Sequence, residues 1–196
     1  NIMQSIIISN IYLFVLAVVL AILEIQIEGK HGWAMNLPTW RPKGENWFIK
    51  AYKKLMSDRE PTGYHMTMFT FVLLILHMPY AFGQDLNIVT WTMTISLFLI
   101  FVILWDYLWF VLNPYHPLKK FKKERIWWHK KWWAGAPRDY YLGILLSFVI
   151  LLPIIFYYDI WILAYWWLWH ILFFTVQTLF LIWFSLKVLK IDHWKK

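Results

Sequence analysis

Five runs of apolar residues, each about long enough to cross a bilayer, restrict this chain more than any other feature. A hydrocarbon core about 30 Å thick takes about 20 residues at 1.5 Å per residue. The runs cover 6–23, 64–82, 88–112, 140–158 and 161–186. Glu24 closes the first, Asn113-Pro114 the third and Lys187 the fifth. The first run exceeds a signal-peptide core and no small-residue cleavage site follows it, so it is expected to be retained. The chain opens at Asn1 rather than Met, which leaves room for residues before it. Composition agrees with a bilayer: only 15% of the residues are charged, against roughly 25% in soluble domains. The expected fold is an all-α integral membrane protein, one membrane domain over residues 1–196, with five transmembrane helices.

Charge then orients the spans. If they alternate in direction, all 19 Lys and Arg fall in the 24–63 loop, the 113–139 loop and the C-terminal tail, which share one side. The other side carries only Asp85 and Asp159. The positive-inside rule therefore places the N-terminus outside and the C-terminus in the cytoplasm, in a membrane expected to be a prokaryotic plasma (inner) membrane. A net charge of +8 arranged in this way points to anionic lipid head groups as partners and not to nucleic acid. A homo-oligomer or a larger membrane complex is compatible with it.

Within the first cytoplasmic loop, Trp47, Phe48, Ala51, Tyr52, Leu55 and Met56 recur with helical spacing while Lys50, Lys53 and Lys54 fall elsewhere. This predicts an interfacial amphipathic helix over 45–56, with Trp47, Phe48, Tyr52 and Leu55 in the head groups or acyl tails. The 16 Trp concentrate in the cytoplasmic segments and at the outer start of the fifth run, as an aromatic belt does. Residues 127–133, Trp-Trp-His-Lys-Lys-Trp-Trp, read mainly as an anchor and alternatively as part of a ligand pocket.

Ionisable residues inside or beside hydrocarbon are the candidates for chemistry, because each costs about 2.5–3.5 kcal/mol at a span centre on insertion scales. Glu24 and Glu28 share one helical face, and Glu28-Gly-Lys-His31 has the Glu-x-x-His spacing found in di-metal helical bundles. The second copy such bundles need is absent. Asp106 lies about 10 Å before the cytoplasmic end of the third run. His65 starts the second run on that side, and His116 and His129 lie just beyond the membrane there. Glu24, Glu28, His31, His65, Asp106 and His116 are thus expected to approach one cytoplasmic-facing cavity as candidate metal ligands, with Asp106 and Glu28 as candidate catalytic groups. Carboxylate and imidazole suit Fe, Mn or Zn, and the absence of cysteine removes thiolate chemistry. Dispersed structural contacts, with the acids paired to Lys30, Arg41 or Lys187, are the alternative.

His77 and His170 sit roughly 9 and 14 Å below the outer ends of their runs, on different helices. They are candidate cofactor ligands for a bis-imidazole haem. A lone intramembrane His is more often hydrogen-bonded to a neighbour, and Pro79 would free a carbonyl for His77 to bond. The function expected first is a metal-dependent enzyme acting on a lipid or other hydrophobic substrate at the cytoplasmic interface. The alternative is a non-catalytic membrane subunit or scaffold, and a haem electron carrier or a proton-coupled transporter stands behind both.

Overall fold

The computed structural model describes residues 2–44, 46–56 and 58–194 and, apart from Ile2 and Leu55, their side chains. Four helical stretches are long and apolar enough to cross a membrane: Met3–Glu28, Ile88–Leu112, Arg138–Tyr158 and Ile162–Val188. The chain is therefore mostly helical, as an all-α membrane protein requires. Helix α1, Ile2–Glu28, runs past the point where the first apolar run stops. Glu24 and Glu28 are nearly buried, so they do not end the helix but turn its last two turns toward the protein. Helix α3, Gly63–Ala81, occupies the second apolar run. His65, Thr67, Thr70, His77 and Pro79 make it less apolar than the other four stretches.

Helix α4, Ile88–Leu112, is the spine, starting at an Asn87–Thr90 capping box that satisfies free amides on both sides of the helix start. It contacts α1, α3, α5 (Arg138–Val149) and α7 (Ile162–Trp183), and it supplies fully buried Phe101, Leu108 and Phe110 to the core. The α4–α5 contact is close because the Ser96 hydroxyl donates to the Ser147 carbonyl at 2.7 Å and Gly143 offers no Cβ against Ile103. The fourth run is split between α5 and α6, Leu152–Tyr158. Pro153 has no N–H for the Val149 carbonyl, so the helix tightens there. Asp159 turns the chain at φ 52° into α7, and a π turn over Phe184–Val188 ends it.

Side-chain contacts show which helix ends meet. Glu24 and Glu28 of α1 meet His65 of α3, and Asp106 of α4 meets Tyr140 of α5, all at one end of the bundle. Toward the other end, Tyr80 of α3 bonds Thr94 of α4, and Asn10 of α1 bonds His170 of α7. Helices α1, α3, α4 and α5 therefore alternate in direction.

Helix α2, Trp47–Leu55, is where an amphipathic helix was expected, but its faces are divided differently. Among its described side chains Ile49 is the buried one, and Tyr52 and Met56 pack against the core. Tyr52 thus faces protein and not lipid, while Trp47 and Phe48 stay open, Trp47 at 80% exposure. Glu45, the Leu55 side chain, Lys195 and Lys196 lie outside the described residues. The 127–133 segment is not a uniform anchor either. Trp127 and Trp133 are exposed, whereas Trp128 and His129 are buried before the two-residue strands β1, Trp132–Trp133, and β2, Ala136–Pro137.

Candidate metal centre

Three donor groups on two helices converge at the loop-bearing end of the bundle. Four residues separate Glu24 from Glu28, so both carboxylates leave α1 on one face. Thr62 caps α3, and its hydroxyl both accepts the His65 backbone N–H at 3.2 Å and hydrogen-bonds the ring Nδ1 at 2.8 Å. That pair fixes the imidazole so that Nε2 faces the acids. Nε2 lies 3.6 Å from Glu24 Oε1 and 3.5 Å from Glu28 Oε1, and the donor atoms of all three lie within 4.8 Å of one another. The His65 ring is stacked on Trp33 at 3.9 Å between centroids, and Arg59 covers the other part of this wall, 4.3 Å from the Trp33 ring centre.

A cavity of about 10 Å³ touches the three donors and is also lined by Trp33, Asp106, Trp109 and Trp128. That is room for about one water-sized atom. Glu28 is further held by the turn that follows α1, where its Oε1 accepts the Ala34 N–H. Trp33 and Ala34 both take positive φ, 49° and 50°, which makes that turn sharp. Gly32 in the same turn, at φ +62°, lies so close to Trp128 that a Cβ would come within 2.5 Å of the ring. Among the described residues no Lys or Arg pairs with Glu24 or Glu28; Arg41 instead donates to the Ala34 carbonyl. The expected pairing with Lys30, Arg41 or Lys187 is not what the acids have.

Asp106 borders the cavity but belongs to a second network. Its Oδ2 accepts from the Tyr140 hydroxyl and lies 3.2 Å from His129 Nε2. His129 Nδ1 lies 3.3 Å from Asp139 Oδ2, which also accepts from Arg59. Burial alone would depress the His129 imidazolium, but the Asp106 carboxylate and its hydrogen bond outweigh burial and raise its pKa above the ordinary value. Tyr52, half-buried with its hydroxyl shielded from solvent, is pushed up to about 12 by that burial, with Arg59 acting in the opposite sense.

The remaining expected residues are elsewhere. His31 misses the cluster because α1 ends at Glu28 and Gly29 takes φ +61°, so the Glu-x-x-His spacing is not on a helix. His116 sits in a Pro-flanked loop and bonds the Lys30 carbonyl at 2.7 Å. His77 Nδ1 donates to the Leu73 carbonyl at 2.7 Å, not to that of Ile75, which Pro79 leaves free. His170 takes Asn10 as its partner at 2.8 Å. Of the two expected haem histidines, His77 thus has a partner within its own helix α3 and His170 one on α1.

Arg59, Asp139, Tyr140 and Trp109 were not read as site residues from sequence. The one available signal was Asp139, an acid one residue before an apolar run. No family model, curated protein or solved structure matches the chain, so its chemistry has to come from geometry.

Proposed function

We propose that this is a metal-dependent membrane enzyme in which Glu24, Glu28 and His65 hold one Fe, Mn or Zn ion, acting on a lipid or other hydrophobic substrate at the cytoplasmic interface. The donor spacing carries this. Separations of 3.5 and 3.6 Å are too long for good hydrogen bonds. They are close to the ~3.4 Å edge of a tetrahedron whose metal–ligand bonds are ~2.1 Å. Two buried carboxylates that pair with no Lys or Arg among the described residues also need a cation or protons. Three protein ligands leave a fourth position open, as catalytic sites do, whereas structural sites are closed by four. The cavity admits only one small group, so the reacting oxygen would enter and the apolar remainder would stay in lipid. Asp106, whose side chain is 30% exposed, marks the open side.

The fifth span is α3, and the orientation is N-terminus outside with the basic loops in the cytoplasm. The alternating helix directions and the one-sided Lys and Arg support both, and the exposed Trp47 and Phe48 of α2 would then lie among head groups. A Cys at Asn87 should react with an impermeant thiol reagent in intact cells and one at Lys122 should not; reversed labelling overturns the orientation.

For the metal, elemental analysis of the detergent-purified protein should find about one equivalent of Fe, Mn or Zn per chain. Glu28→Gln and His65→Ala should lose it, while His31→Ala and His116→Ala keep it. A folded wild-type protein that retains none of the three after each is offered and excess removed would sink the proposal.

A further inference from the structure

One polar group at the cavity is unused by the ligand set. Trp109 lines the cavity and is 3% exposed, and its indole Nε1 has no hydrogen-bond partner among the described residues. Its ring packs against Phe110 at 5.0 Å, His116 at 5.2 Å and Trp128 at 5.8 Å between centroids, which hold the indole in place. A buried donor left unmade is costly, and the indole N–H donates only. It therefore calls for an acceptor, which a metal ion is not. The opposite requirement is met nearby: Asp106 borders the same cavity and, as a carboxylate, accepts.

We propose that the open metal position takes a single oxygen ligand, either water or the reacting oxygen of a substrate, which accepts a hydrogen bond from Trp109 Nε1–H. This rests on the metal-centre proposal above and adds the ligand class to it. A water there has an acceptor for its own proton in Asp106 and a donor for its lone pair in Trp109. When the oxygen belongs to a carbonyl or phosphoryl group, the same N–H stabilises the charge that grows on it. Such donors act best away from bulk water, and a cavity of about 10 Å³ has room for about one water-sized group only. Ligands bulky at the donor atom are excluded, and a monatomic anion is the smallest probe of the position.

The test uses the full chain loaded with cobalt(II) and titrated with fluoride, followed by the cobalt absorption bands. Trp109→Phe removes the N–H and keeps an aromatic ring. It should retain cobalt and bind fluoride about tenfold more weakly, the loss expected for one hydrogen bond. If Trp109→Phe does not fold, β-(3-benzothienyl)alanine at position 109 keeps the bicyclic shape without the N–H and should give the same loss. In the zinc-loaded wild-type protein, the indole proton resonance absent from either variant should move on fluoride addition. Equal fluoride affinity in a cobalt-loaded variant, or an indole resonance that fluoride leaves in place, overturns this inference and leaves the metal centre standing. A wild-type protein that takes up no cobalt overturns both.

Discussion

Two buried histidines show how differently the two ends of this bundle handle polarity. His65 faces Glu24 and Glu28 at 3.6 and 3.5 Å, and beside it runs the chain of Asp106, His129, Asp139 and Arg59. His170, nearer the other end, meets the neutral amide of Asn10 at 2.8 Å, and Asn10 also donates to the Ile6 carbonyl of its own helix. Neutral groups with helix carbonyls in reach can be satisfied locally. Formal charges cannot, because an unpaired ion in low dielectric costs several kcal/mol and must draw a counter-ion from another helix. One end is thus tied together by charges that need each other, and the other by short contacts that could be exchanged for apolar packing.

The largest effect should come from breaking the charged end. Arg59 is 5% exposed, pairs with Asp139 and lies over Trp33. Arg59→Met keeps much of the length and removes the charge, leaving Asp139 with His129 alone. Removing one partner of a buried pair typically costs about 3–5 kcal/mol, and reversible unfolding in detergent should register a loss in that range. A change under about 1 kcal/mol, the size of an exposed pair, would mean that this end is not held by its charges.

A smaller and reversible effect should follow from His129. Its pKa is raised in the folded protein, so its share of the stability is fully present below the unfolded value of about 6.5. It is lost as pH climbs through the folded value. Midpoint temperatures of the wild-type protein should therefore fall as pH rises above that point, and His129→Gln should flatten the slope. A wild-type midpoint that rises over the same interval would show that the imidazolium between Asp106 and Asp139 is not stabilising.

These contrasts also explain which parts of the molecule were legible in the sequence. Helix positions followed from apolar runs, and alternation with depth arithmetic brought Glu24, Glu28, His65 and Asp106 to one end. What failed were residues whose placement depends on how a helix stops. Gly29 takes His31 off the α1 face, and the Pro-flanked loop carries His116 to a backbone carbonyl. Arg59 and Asp139 were invisible because loop charges read as solvated until a fold shows them 80 positions apart and in contact. Trp109 looks like one more of many indoles, and Trp128 lies in a segment that reads mainly as an anchor and only alternatively as part of a pocket; nothing in spacing distinguishes a lipid anchor from a cavity wall. The α2 face was misdivided because Ile49 precedes Lys50 and lies one turn before Lys53, and only the packed structure shows that it is buried.

The smallest effect should come from the neutral end. Asn10→Ala removes the partner of His170 Nδ1 and the bond to Ile6. Interhelical hydrogen bonds inside a membrane average only about 0.6 kcal/mol, with a maximum near 1.7, because the separated helices find other partners. The single variant should lie in that range. Replacing both groups, Asn10→Leu with His170→Phe, leaves no polar atom stranded and should cost no more than either change alone, since an apolar pair of similar shape has nothing to desolvate. The same treatment of Arg59 and Asp139 has no such outcome, because His129 and Asp106 remain charged beside them. If the double apolar variant at the neutral end proves more destabilising than Arg59→Met, then the Asn10–His170 contact is doing something other than joining two helices, and the contrast between the two ends fails.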